Sequence, residues 1–159
     1  MSERIISRSL KSKVWDTFYG TSDSALKYAD ETFSKINMSL QQFIILSTIK
    51  RIEPPVTQSL VAKRVGRNPY SITLIIDRME KDGLVKRIKD LKDRRSSRLV
   101  VTAKGQQFYD RAIDTAKTIP DRLLSCLSRE ELMVLNKLLK IVGTQAQELR
   151  KIYKNNAIE

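Results

Sequence analysis

Between Val65 and Tyr70 the chain reads Gly-Arg-Asn-Pro, a helix stop set directly against a helix start. Gly66 can take the left-handed conformation that closes a helix. Asn68 is a good cap, and Pro69 suits the first helical position, where its missing N–H costs nothing. Upstream, "TQSLVAKRV" offers Thr57 as an N-cap and Leu60, Val61 and Val65 for burial. Downstream, Ile72, Ile75, Ile76 and Met79 fall at i, i+3, i+4 and i+7, an inward stripe that leaves Tyr70, Ser71, Thr73, Leu74, Asp77 and Arg78 facing outward or sideways. Gly83 ends this second helix. Two helices joined this tightly make a helix-turn-helix. An ordinary helical hairpin inside a bundle fits the same two segments equally well.

The segment after Gly83 separates the two. "LVKRIKD" and "SSRLVVT" are β-prone and bracket "LKDRR" with no linker after the second helix. A hairpin in that place is a wing. Its charged tip does not suit a buried position, because isolated charges are expensive to desolvate. An Arg guanidinium fits the narrow, electronegative minor groove of a duplex, and Asp93 is close enough in sequence to brace Arg95. A solvated turn of mixed charge is the blander alternative for the tip alone.

The rest of the chain is helical in pattern. Apolar residues from Ile6 to Ile36 recur mostly three or four apart, with Gly20-Thr21-Ser22 as an expected interruption or kink. Ser39 and Gln42 have capping-box spacing ahead of a buried helix that should end near Ile52, before Glu53-Pro54-Pro55. Thr102 caps a helix expected to run to Pro120. Ser128 and Glu131 form a second capping box, opening a helix with Leu132, Leu135, Leu138, Leu139, Val142, Ala146, Leu149 and Ile152 on its apolar side. The terminal helices carry more apolar surface than so small a domain can cover, which implies a dimer. The expected fold is therefore mainly α with a small β-hairpin wing: an N-terminal dimerisation helix (1–38), a winged helix-turn-helix domain (39–102) and C-terminal dimerisation helices (103–159).

Charge names the kind of partner. Thirty Lys and Arg against eighteen Asp and Glu give a net +12 over 159 residues. The stretch from Lys50 to Arg111 alone holds sixteen basic and seven acidic residues. A polyanion is the natural partner, nucleic acid first and an anionic membrane surface second. No run approaches the ~18 apolar residues of a membrane span, and no secretory signal is visible, so a cytoplasmic location is expected. The lone Cys126, in "LLSCLS", reads as a small buried hydrophobe. There is no His, no Gly-rich phosphate loop of the usual spacing, no nucleophile-base pair and no metal cluster, so neither an enzyme nor a cofactor is expected.

With these residues in view, the chain resembles the MarR family of bacterial and archaeal transcriptional regulators. The resemblance rests on "LQQFIIL" (Leu40 to Leu46), "TQSLVAKRVG" (Thr57 to Gly66), "ITLIIDRMEKDGLVKR" (Ile72 to Arg87), "DLKDRRSSRLVVTAKG" (Asp90 to Gly105) and "LSREELMVLNKLL" (Leu127 to Leu139). It implies a homodimer on a near-palindromic operator, with the recognition helix in the major groove and the wing Arg in the adjacent minor groove. Asn68, Pro69, Tyr70, Ser71 and Thr73 then occupy the start of the recognition helix, and Asp93, Arg94, Arg95 and Arg98 the wing. Leu74 stands where the family often has a basic or polar residue, so a contact common elsewhere is lost or replaced by apolar contact with a thymine methyl.

Phosphate contacts are expected from Lys63, Arg64 and Arg67 near the turn, and from Lys86, Arg87 and Arg98 on the hairpin. Many relatives release DNA when a small, often aromatic and anionic molecule enters a crevice between the dimer helices and the winged domain. Trp15, Phe18, Tyr19, Phe33, Phe108 and Tyr109 are aromatic candidates for such a crevice, although core or dimer packing explains aromatics at helical spacing as well; no effector residue is assigned. Thiol sensing fits poorly, because the peroxide-sensing branch places its Cys near the N-terminus. Zinc sensing without His fits poorly too. Two other readings stand beside the regulator: an architectural protein coating DNA with little sequence preference, and a winged-helix protein-interaction module.

Overall fold

The computed structural model describes the backbone of residues 2–89 and 97–156, and side chains over 9–89 and 97–153. The elements run α1 (Ser2–Ser34), α2 (Leu40–Arg51), α3 (Gln58–Val65), α4 (Pro69–Lys81), β1 (Val85–Lys89), β2 (Ser97–Val101), α5 (Ala103–Leu123) and α6 (Arg129–Asn156). The chain divides into two compact units, Met1–Ile119 and Pro120–Glu159.

Local chemistry sets most of these boundaries. Asn37, left-handed at φ 57°, follows the end of α1. Ser39 and Gln42 form the reciprocal capping box of α2. Thr57 accepts from the Leu60 N–H, and Gly66, at φ 72°, closes α3 while its N–H donates to the carbonyls of Ala62 and Lys63. Asn68 accepts from the Tyr70 N–H at 2.8 Å with Pro69 next in line. Gly83 takes φ 74° just past α4. Ser128 and Glu131 cap α6 as their spacing implies.

Two expectations are corrected. Gly20-Thr21-Ser22 does not break α1, which is helical across it; a glycine in a helix interior costs about 1 kcal/mol, and the helix continues on both sides. Nor does Pro120 end α5, which continues to Leu123. Proline removes only its own N–H from the ladder, and the Leu124 N–H still reaches the Pro120 carbonyl at 2.9 Å.

In the first unit the core gathers Phe33 from α1, Ile45, Leu46 and Ile49 from α2, Val61 and Ala62 from α3, and Ile72, Ile76 and Met79 from α4, closed by Leu84, Val85, Leu99 and Ala112. Fully burying one such large aliphatic side chain stabilises by roughly 1.5–3 kcal/mol. The rings of Phe33, Phe43 and Tyr109 stack in sequence, with centroids 4.8 and 5.8 Å apart, and join α1, α2 and α5. Strands β1 and β2 pair antiparallel, Val85 opposite Val101 and Lys89 opposite Ser97. Val85, Arg87 and Lys89 therefore share a face with Leu99, and Lys86 and Ile88 share the other with Arg98 and Val100. An isolated bridge between Thr57 and Arg98, and the Leu99 N–H on the Val56 carbonyl at 2.8 Å, fasten the hairpin to the segment ahead of α3.

The second unit holds the end of α5 from Pro120, the connecting turn and α6. Cys126, expected to be buried, is exposed in that turn. Burial of a short apolar run depends on packing partners, and the turn between two helix ends supplies few. Along α6, Met133, Val134, Leu138, Leu139, Val142, Leu149 and Ile152 are all exposed.

Candidate nucleic-acid interface

Helix α4 lies with Ile72, Ile76 and Met79 sealed in the core, so its register is fixed and its opposite face turns outward. Tyr70 is 71% exposed and Leu74 is 44% exposed, one turn apart on that face. Ser71 is exposed between them. Lys63, Arg64 and Arg67, at the end of α3 and in the turn, are exposed as well, as is Lys86 on the outer face of the hairpin. An apolar and hydroxyl-bearing helix start thus stands among cations. Asn68 and Pro69 have local duties, as the cap and first residue of α4.

Two of the expected contacts take a different place. The Thr73 hydroxyl donates to the Pro69 carbonyl at 2.9 Å and accepts from the side-chain amide of Gln58, so it is committed within the fold. Arg87 is turned inward: its guanidinium meets Asp77 at 2.5 Å, pairs with Glu80 and donates to the Gln58 side-chain oxygen at 3.0 Å, while its backbone N–H reaches Glu80 at 2.8 Å. Burial opposes the charge of this guanidinium, but the hydrogen bonds it donates to the two carboxylates outweigh it and move its pKa up. The result is a polar chain, Thr73–Gln58–Arg87–Asp77 and Glu80, joining α3, α4 and β1. It ties the hairpin to α3 and α4.

Gln58 is the residue that sequence reasoning missed. Its position, one residue after the Thr57 cap, gives no hint of a partner on a strand 29 residues later. Arg98 is half-buried and engaged, opposite Ile88 near the loop end of the paired strands. Asp93, Arg94 and Arg95 lie outside the described residues.

The six aromatic candidates separate. Phe33 is core, and Phe108 and Tyr109 pack partly buried against it, with Arg111 over the Phe108 ring at 4.7 Å. Trp15, Phe18 and Tyr19 are exposed on α1, with Trp15 6.3 and 6.5 Å from its two neighbours' rings. Among the described residues, two clefts of the first unit are well formed. One, of about 730 Å³, is bordered by Asp23, Asp30 and Glu31 of α1 and by Arg67 and Arg78; the other, of about 690 Å³, lies beside the hairpin. None of the six aromatics lines either.

A helix-turn-helix followed at once by an antiparallel hairpin, with the second helix's start exposed in basic surroundings, defines a winged-helix protein. Comparison agrees. Residues 38–97 match the model of the MarR family. The chain is 30% identical over 103 residues to the HTH-type transcriptional repressor MdtR of Bacillus subtilis, covering 65% of this chain and 66% of the relative. It is 30% identical over 112 residues to the HTH-type transcriptional regulator PecS of Dickeya dadantii, covering 69% and 68%. Its fold superposes with a TM-score of 0.80 on the organohalide-sensing transcriptional regulator RdhR in its 2,4-dichlorophenol-bound form, at 24% identity over 88% of this chain and 83% of that one. The chain belongs to the MarR family of transcriptional regulators. Among the described residues no helix is long and apolar enough to cross a membrane.

Proposed function

We propose that this protein is a cytoplasmic, sequence-specific DNA-binding repressor that grips a near-palindromic operator as a homodimer. The observation that carries the reading is the start of α4: Tyr70, Ser71 and Leu74 stand exposed on a helix whose other face is locked in the core, flanked by exposed Lys63, Arg64, Arg67 and Lys86. Such a helix enters a major groove with its first turns against base edges, while the surrounding cations meet phosphates and fix the register. Residues 39–102 act as the DNA-binding domain, with Arg95 as the wing residue for the minor groove and Arg94 as second choice. A second copy covers the exposed apolar faces of α1 and α6, which would otherwise remain in water. The names of the relatives, an HTH-type repressor and an HTH-type regulator, support the same role. A small-molecule effector, of the kind present on the RdhR regulator, releases the operator.

The test is a mobility-shift titration of wild type and Arg95→Ala against the upstream region of the protein's own gene. The variant should remain a folded dimer and bind at least about tenfold more weakly, in keeping with the loss of a wing contact. Unchanged affinity would remove the wing from the mechanism.

A further inference from the structure

Gln58 opens α3 one residue after the Thr57 cap and is half-buried. Its Oε1 accepts from the Arg87 guanidinium at 3.0 Å, and its Nε2 donates to the Thr73 hydroxyl. Chemistry leaves this arrangement one direction. A guanidinium carries five donors and no acceptor, so it requires the oxygen end of the amide. The nitrogen end then faces Thr73 and makes the hydroxyl oxygen an acceptor, which sends the hydroxyl proton elsewhere. It goes to the Pro69 carbonyl at 2.9 Å, one turn back along α4. The relay runs from Arg87 through Gln58 and Thr73 to Pro69, and its donor end is anchored separately by Asp77 and Glu80.

Thr73 sits next to exposed Leu74 and one turn beyond exposed Tyr70, on the part of α4 proposed to meet bases. A threonine in such a place can read a donor or an acceptor on a base edge, because its hydroxyl is both. Here the donor and one of the two acceptor sites are filled within the fold, and the residue is half-buried. The two bonds come from different sources. The one to Pro69 belongs to α4 alone, whereas the one from Gln58 is supplied by another helix.

We propose that Gln58 is a specificity-determining positioning residue, which keeps Thr73 from reading bases by occupying its hydroxyl. The inference rests on the proposed sequence-specific role. Without the amide, the hydroxyl proton stays on the Pro69 carbonyl and the oxygen regains a free lone pair, made a better acceptor by that donation. Thr73 then accepts from a base. In the major groove only adenine N6 and cytosine N4 donate, so the gained preference is for adenine or cytosine over thymine or guanine at one position of each half-site. Arg87 keeps both carboxylates, so the hairpin stays tied to α4 while the reading changes.

The test selects duplexes from a randomised pool with full-length wild type, Gln58→Leu and the double variant Gln58→Leu/Thr73→Val, then titrates single-base variants of the selected sequence. Gln58→Leu should acquire the adenine-or-cytosine preference by about fivefold, the value of one neutral hydrogen bond. Wild type should lack it, and the double variant should lose it. A Gln58 that served the fold alone would weaken all duplexes alike, and that result would overturn the proposal. So would the same preference already present in wild type, or one that persists in the double variant. Without DNA, the side-chain amide resonances of Gln58 should shift on Thr73→Val; unmoved resonances would overturn the relay whatever the duplexes show. Failure of wild type to enrich any sequence would refute the sequence-specific reading itself, whereas the other adverse results refute the role of Gln58 with that reading intact.

Discussion

The hydroxyl of Thr73 shows how a single side chain redistributes a role. By helical position it belongs to the outward face of α4, where its sequence neighbours suggest a base contact. In the fold it is held by Gln58 and Pro69, so the proposed base reading falls to Tyr70, Ser71 and Leu74. Leu74, 44% exposed, has no polar atom to offer and can distinguish bases only by contact with a thymine methyl. Replacing one operator thymine beneath the recognition helix with uracil should weaken wild type by about 1 kcal/mol, within the range of a single specific base contact, and should leave Leu74→Ala indifferent. A thymine-by-thymine scan that finds no such position would deny Leu74 this role. Arg87 was legible as a functional cation only in kind, because its carboxylate partners Asp77 and Glu80 sit on a different element. Truncating it to Ala should cost about 1–2 kcal/mol in denaturant unfolding. That is less than the loss of one partner from a fully buried pair, since Asp77 and Glu80 are partly exposed. An Arg87→Ala protein as stable as wild type would mean that the polar chain contributes nothing to the fold.

At the scale of elements, what was readable was whatever one element settles for itself. The caps at Ser39, Thr57, Asn68, Thr102 and Ser128, the left-handed Gly66 and the inward stripe of α4 depend on residues a few positions apart, and they lie where spacing puts them. Gly20 and Pro120 were misleading, because a local breaker matters only if its neighbours cannot carry the ladder past it. The contact of α5 with the end of α4 lay beyond reach altogether. Thr102 accepts from the Gly105 N–H at 3.0 Å and donates to the Gly83 carbonyl at 2.6 Å, which draws α5 against Leu84. A Cβ on Gly105 would sit 1.9 Å from the Leu84 carbonyl oxygen, inside any allowed separation. Gly105→Ala should therefore destabilise by about 2–3 kcal/mol or more despite alanine's better helix propensity, as overpacking does elsewhere. A variant as stable as wild type by urea unfolding would show that α5 does not lie this close to the hairpin.

For the molecule as a whole, the charge balance and the surplus of apolar helix face were the legible features, and each points outside the chain. Leu10, Val14, Trp15 and Phe18 on α1, and Leu138, Leu139, Val142 and Leu149 on α6, are exposed, and they are the faces the proposed second copy covers. The placement of that copy depends on surfaces of two chains, and a pattern read along one chain does not fix it. The +12 charge implies a binding constant that falls with salt, with a slope of about −0.9 in log–log form for each phosphate contacted, so several contacts per subunit give a steep line. A flat response would contradict the electrostatic part of the account. Charge alone does not separate a regulator from a protein that coats DNA. The deciding measurement is a competition titration at moderate salt, in which the labelled upstream region of the protein's own gene is challenged by unlabelled DNA of equal length and scrambled sequence. Preference for the native sequence by about a thousandfold is the predicted result, and equal competition by the scrambled duplex would contradict sequence-specific regulation.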